Sequence, residues 1–221
     1  MKEGIIVVNK PGGLTSHDVV DIVRRKLSLR RVGHAGTLDP LATGVLVILV
    51  GKSTRLFNTL SRLDKEYRAT LHLGVKTTTG DSDGKTVETR ECPADITADR
   101  VREVFQKYVG ELMQTPPMVS AVKHKGRKLY ELARKGIEVE RSPRRINIRT
   151  LRLLRFNPPD IKFLLVCSSG TYVRQLAEDV AADLGCVGCI CELERTRVGE
   201  YSLREAVGLD DIGKTVFNPP G

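Results

Sequence analysis

The sequence predicts an α+β protein built on a central, mainly antiparallel sheet flanked by helices and loops. Two patterns lead there. Short β-branched runs recur along the whole chain without the regular strand–helix alternation of a parallel sheet, and helical periodicity is confined to a few segments. With 40% hydrophobic residues in 221, there is enough apolar material for a real core, and wholesale disorder is excluded.

Gly4 to Asn9 (GIIVVN) reads as a strand closed by the turn residues Pro11-Gly12-Gly13. A helix follows, with Ser16 as its expected cap, Asp18 in its first turn, and Val19, Val20, Ile22, Val23 and Leu27 at helical spacing. Gly33-His34-Ala35-Gly36-Thr37-Leu38-Asp39-Pro40 has the glycines and the Asp-Pro pair of an ordered loop, and it runs into Val45–Val50 (VLVILV), a buried strand.

Tyr67–Leu73 alternates as a strand, Gly80-Asp81-Ser82-Asp83-Gly84 is a turn, and Asp99–Tyr108 reads as helical. Further strands are expected at Ile146–Leu154 and Ile161–Cys167. The clearest amphipathic helix lies between Thr171 and Leu184, where Val173, Leu176, Ala177, Val180, Ala181 and Leu184 fall at steps of three and four before Gly185 ends it.

Lys and Arg number 36 against 27 Asp and Glu, a formal charge of +9 that suits a polyanionic partner. From Val122 to Arg145 there are nine basic residues and three acidic ones, so this one segment carries most of the excess. Its Pro116-Pro117 entry and internal glycines suggest a projecting basic loop with a short helix at Arg127–Lys135; an ordinary solvated face fits the charge equally well. No apolar run approaches the roughly 20 residues of a membrane helix. The start of the chain lacks a signal peptide, and five cysteines in an odd set suit reduced thiols, so a cytoplasmic location is expected.

Several residues could carry chemistry. Asp39 is a carboxylate in a Gly-rich loop ahead of a core strand, a placement that can hold a nucleophile or base, although an Asp before Pro is more often a turn former. His34 could stack on a base or accept a proton; read alone, it is more often structural, and His17, His72 and His124 show no ligand spacing with it. Cys186, Cys189 and Cys191 resemble half a metal knuckle without a second half, and free cysteines are commonly small buried hydrophobes. Arg174, in the first turn of the amphipathic helix and on its polar side, stands where the helix dipole disfavours a cation, so it asks for a carboxylate or phosphate unless solvent takes it.

The run GHAGTLDPLATGVL (Gly33 to Leu46), preceded by NKPGGLTSHDVV and followed by DKEYRATLHLG and SSGTYVRQLAEDVAADLG, closely resembles the TruB family of pseudouridine synthases, from Gly4 to about Ser202. The resemblance implies a pseudouridine synthase fold in a single catalytic domain over residues 1–221. An RNA-gripping thumb insertion is expected at about 115–145, with no C-terminal PUA domain. It implies isomerisation of uridine to pseudouridine at position 55 in the tRNA T-loop. Asp39 would be the catalytic carboxylate, paired with Arg174. Tyr67 would pack on the target base, Tyr172 and Leu193 would line the uridine pocket, His34 would displace stacked bases and Lys10 would support the site.

Within the thumb, Lys123, Lys125, Arg127 and Lys128 would contact RNA. No cofactor, metal, guide RNA or obligate protein partner is expected beside tRNA. A tRNA-binding folding chaperone without catalysis is the alternative.

Overall fold

The computed structural model describes residues 3–120, 122–124, 126–133 and 135–213; the side chains of Lys123, His124 and Lys128 lie outside the description. In chain order the elements begin with β1 (Gly4–Lys10), α1 (Ser16–Leu27), β2 (Val32–His34) and β3 (Thr43–Val50). A 3₁₀ turn (Gly51–Leu56) and α2 (Phe57–Leu60) lead to β4 (Lys65–Leu73). Then come β5 (Val75–Thr77), β6 (Thr86–Thr89), α3 (Ala98–Gln106), β7 (Gly110–Gln114), β8 (Lys123–His124), β9 (Arg127–Lys128) and α4 (Leu129–Ala133). The chain continues with β10 (Arg144–Asn157), β11 (Asp160–Cys167), α5 (Val173–Asp183), β12 (Gly188–Val198) and β13 (Tyr201–Ser202). No helix among the described residues is long and apolar enough to cross a membrane.

The chain divides into two compact units, Met1–Arg68 with Glu192–Gly221, and Ala69–Cys191. In the first, the strand order is β1-β3-β12-β4, with β2 beside β3 and β13 beside β12. β1 and β3 are antiparallel over seven residue pairs, from Gly4 opposite Val50 to Lys10 opposite Gly44, whereas β12 meets β3 in parallel at Glu194–Thr43 and Arg195–Gly44. Because β3 is buried on both faces, VLVILV shows no alternation. Its Val45, Val47 and Leu49 join Ile5, Val7, Ala35, Leu60 and Val198 in one core cluster.

α1 buries Val19, Val20, Val23 and Leu27. Its cap is Thr15, not Ser16: the Thr15 hydroxyl accepts from Asp18 N–H, and the Asp18 carboxylate accepts from Thr15 N–H, a reciprocal capping box. Ser16 is buried and serves elsewhere.

In the second unit β4, β11, β10 and β7 follow one another, and the last three are joined antiparallel. α3 packs on β10. Phe105 and Phe163 meet edge to face with centroids 5.8 Å apart, among the buried Val101, Ile148 and Leu165. The expected short helix after Arg127 is α4, entered through the two-stranded β8–β9 hairpin. The half-knuckle reading at Cys186–Cys191 gives way to strand: Gly188–Val198 is β12, and Cys186 and Cys189 are buried.

Candidate active site

In the first unit, the loop between β2 and β3 is held from three sides. Lys10, at the end of β1, is completely buried, and its ammonium donates to the carbonyls of Pro11 (2.8 Å), Leu14 (2.6 Å) and Pro40 (3.2 Å). This one side chain ties the Pro11-Gly12-Gly13 turn to the Asp39-Pro40 turn. Burial pushes its pKa down to about 8; the Asp39 carboxylate opposes that shift and Arg195 adds to it.

Ser16 holds the loop from α1. Its hydroxyl accepts from Leu38 N–H (2.8 Å) and donates to Leu38 O (3.1 Å), fixing the backbone one residue before Asp39. Ala42 N–H donates to Asp39 O, closing a tight turn with Pro40 as its second residue. Asp39 is therefore a turn former by its backbone, and its side chain is half-buried.

Arg195 grips the loop from β12. It is 1% exposed, and its guanidinium donates to Val45 O (2.8 Å), Thr37 O (3.1 Å) and Gly36 O (3.1 Å). Sequence reasoning missed this residue because nothing in LERTRV marks one arginine of the strand as buried. The only available signal was alternation: Leu193 and Arg195 share one face of β12, and Leu193 is buried.

On the neighbouring β4, Lys65 and Tyr67 likewise share a face, and Tyr67 is buried. A Cβ built on Gly36 would lie 3.8 Å from Arg195 Nη1 and 4.0 Å from Lys65 Cε, so that face of β4 and that face of β12 both turn toward the loop. The first unit thus gathers Lys10, His34, Asp39, Tyr67 and Leu193 around one loop. His34 is half-buried on β2; burial, then the Arg195 charge, hold its imidazole below the usual range and favour the neutral ring, while a backbone hydrogen bond with Gly36 acts the other way.

The second unit holds Tyr172 and Arg174. Tyr172 caps α5 with its backbone: its N–H donates to Gln114 Oε1 (2.8 Å), and Gln114 Nε2 returns a bond to Tyr172 O (3.1 Å). Arg174 does not lie on an exposed polar face. It is 5% exposed, and it donates to Thr79 O and to Val119 O (2.9 Å). Its Nε lies 3.6 Å from the Asp81 carboxylate, which is equally buried.

The anion that the helix dipole demands of this position is therefore present in Asp81, a residue that reads in sequence as an ordinary turn former. Asp81 is itself held: Thr79 Oγ1 donates to Oδ1 (2.6 Å) and Thr77 Oγ1 to its carbonyl (2.7 Å). The threonine run Thr77-Thr78-Thr79 was the signal available. The Asp81 turn is fastened to β12 by Ser82 N–H to Ile190 O and Ile190 N–H to Gly80 O.

Of the basic residues expected at the thumb, Arg127 is exposed on β9. Lys125 and the side chains of Lys123 and Lys128 lie outside the described residues. Cys186 Sγ and Cys92 Sγ are 3.7 Å apart, and among the described residues no group of three or more His, Cys, Asp and Glu is placed to hold a metal ion.

The fold, with its mainly antiparallel central sheet, is that of a pseudouridine synthase, and the chain belongs to the TruB family of pseudouridylate synthases: the model of that family's N-terminal domain matches residues 24–173. Its relatives carry a specific name. It is 50% identical over 209 residues to tRNA pseudouridine synthase B of Syntrophotalea carbinolica, covering 95% of this chain and 68% of that protein. With the protein of the same name from Opitutus terrae the identity is 45% over 210 residues, covering 95% and 87%. Among solved structures, a chain of a Cbf5–Nop10–Gar1 complex superposes with a TM-score of 0.72 at 30% identity over 94% of this chain, which spans about half (53%) of that chain's length.

Proposed function

We propose that the protein isomerises uridine to pseudouridine at position 55 in the T-loop of tRNA, with Asp39 as the reacting carboxylate. The observation that carries this reading is the Asp39 loop, whose sequence is the family's and whose backbone is held by Lys10, Ser16 and Arg195 at Pro40, Leu38, Thr37 and Gly36. A carboxylate on a backbone fixed in this way is oriented before substrate arrives, which is what nucleophilic or basic catalysis requires.

The reaction breaks the bond from ribose C1′ to uracil N1, turns the base, and joins C1′ to C5, releasing the C5 proton. No electron or phosphoryl group is transferred, so no cofactor, guide RNA or obligate protein partner enters the proposal. The uridine must leave its stack, at a cost of a few kcal/mol, to reach a half-buried carboxylate. Tyr67 and Leu193, buried on the strand faces that turn toward the Asp39 loop, suit an apolar seat for the detached base. A neutral His34 suits stacking in the space the base leaves.

Arg174 is proposed, on the resemblance, as the cation that keeps Asp39 ionised, and Tyr172 as part of the uridine pocket. Arg127, with Lys123, Lys125 and Lys128, would contact phosphates.

The test is to incubate the protein alone with unmodified tRNA carrying tritium at uridine C5 and to measure release to water. Release of one tritium per T-loop, absent when U55 is replaced by C, is expected. Tight binding with no release would overturn the enzymatic reading in favour of a folding chaperone.

A further inference from the structure

The longest strand, β10, carries a charged surface that the Asp39 loop and the 115–145 segment do not account for. Ile146, Ile148 and Leu151 are buried, and the register with β11 slips twice, between Ile148 and Thr150 and between Leu153 and Arg155. At each slip two consecutive residues leave the core face, Arg149 with Thr150 and Leu154 with Arg155, so the strand gains outward positions without losing inward ones. The exposed residues that result are Arg145, Arg149, Arg152, Leu154 and Arg155, with Lys162 exposed on β11.

Two features set this face apart from an ordinary solvated one. Beyond the 115–145 segment, β10 and β11 carry four basic residues, Arg149, Arg152, Arg155 and Lys162, and one acidic residue, Asp160. Arg155 and Lys162 are also directly opposite each other in the ladder, so two cations stand side by side on this face. Three of the four cations are arginines, whose planar guanidinium matches phosphate oxygens two at a time. From Arg149 to Arg155 they are strung along roughly 20 Å of strand.

We propose that this outer face of β10 and β11, centred on Arg149, Arg152, Arg155 and Lys162, is a second RNA-binding surface that grips the phosphate backbone of the substrate RNA independently of the 115–145 segment. The proposal rests on the reading of the protein as an RNA-modifying enzyme. A row of arginines on a strand carries no base-edge readout, so its contribution is sequence-independent and salt-sensitive.

The experiment uses the full chain with Arg149→Gln, Arg152→Gln and Arg155→Gln combined. Binding to unmodified tRNA is followed by fluorescence anisotropy between 50 and 200 mM KCl, and circular dichroism verifies the fold. A loss of affinity of about tenfold or more at 100 mM KCl is expected, with the slope of log K against log salt shallower by about 2, since each phosphate contact contributes about 0.7 to 0.9. The corresponding triple Lys variant, which keeps the charge, should retain the wild-type slope. Wild-type affinity and slope in the Gln variant would overturn the proposal. If wild-type protein releases tritium from tRNA while the Gln variant binds unchanged, the second surface fails and the enzymatic reading stands; if wild-type protein releases none, the enzymatic reading fails by itself.

Discussion

Gly44 and Arg195 face each other across the parallel β3–β12 pair so closely that a Cβ on Gly44 would stand 2.3 Å from the Arg195 carbonyl oxygen. Gly44 also has φ +99°, which side chains other than hydrogen rarely adopt. The contact seats Arg195 where its guanidinium can reach Gly36, Thr37 and Val45. Gly44→Ala is therefore expected to cost about 3 kcal/mol or more, read by urea denaturation. Gly33→Ala, at a position with open space and no positive φ, should stay within about 1 kcal/mol of wild type. Equal effects at the two sites would refute the close-approach account.

Lys10 gives a pH signature. Its pKa is lowered from 10.5 to about 8 in the folded chain, so between those values the unfolded state binds more protons than the folded one. Stability contributed by this group is complete above about pH 10.5 and is lost as pH falls through about 8. The difference in unfolding free energy between wild type and Lys10→Met should therefore grow in favour of wild type from pH 8 to pH 10. Taking the difference cancels Tyr108 and Tyr201, whose raised pKa values act in the opposite direction in both proteins. A difference that stays flat over this range would show that Lys10 is not perturbed.

The buried pair Arg174–Asp81 is expected to behave as a coupled unit. Removing Asp81 alone, as Asp81→Leu, deprives a buried guanidinium, 5% exposed, of this carboxylate and should cost roughly 3 to 5 kcal/mol. Arg174→Met with Asp81→Leu should cost clearly less than the sum of the two single changes. Additive losses in that double-mutant cycle would mean the two groups do not sense each other.

Asp39→Asn keeps the side chain's size, and the backbone bonds that close its turn remain available. Tritium release from tRNA should fall by at least about a thousandfold, with tRNA affinity changed by less than about fivefold. A variant that retained activity would remove Asp39 from the proposed chemistry.

Much of the framework was legible before any coordinates. VLVILV had to be buried on both faces, the three-and-four spacing from Val173 to Leu184 had to form a helix, and the GHAGTLDP loop had to be ordered because it stands immediately before a core strand. Short-range rules failed where a partner came from far along the chain. Ser16 looked like a cap, but its hydroxyl is taken by Leu38, 22 residues away, and Thr15 does the capping. The cysteine-rich segment resembled half a metal knuckle, and its strand character was hidden because its strand partners are absent from its own neighbourhood.

The sequence by itself determined the family, the periodicities of the main strands and helices, and Asp39 as the carboxylate to watch. Only tertiary structure decided which of the many charged side chains are buried and what holds them: Lys10 under the Pro40 turn, Arg195 beneath Gly36 and Thr37, and Arg174 against Asp81. The physical reason is that periodicity reports which face of a segment is apolar, whereas burying a charge depends on carbonyls and carboxylates delivered from elsewhere in the chain, 95 and 55 residues away in the case of Arg174.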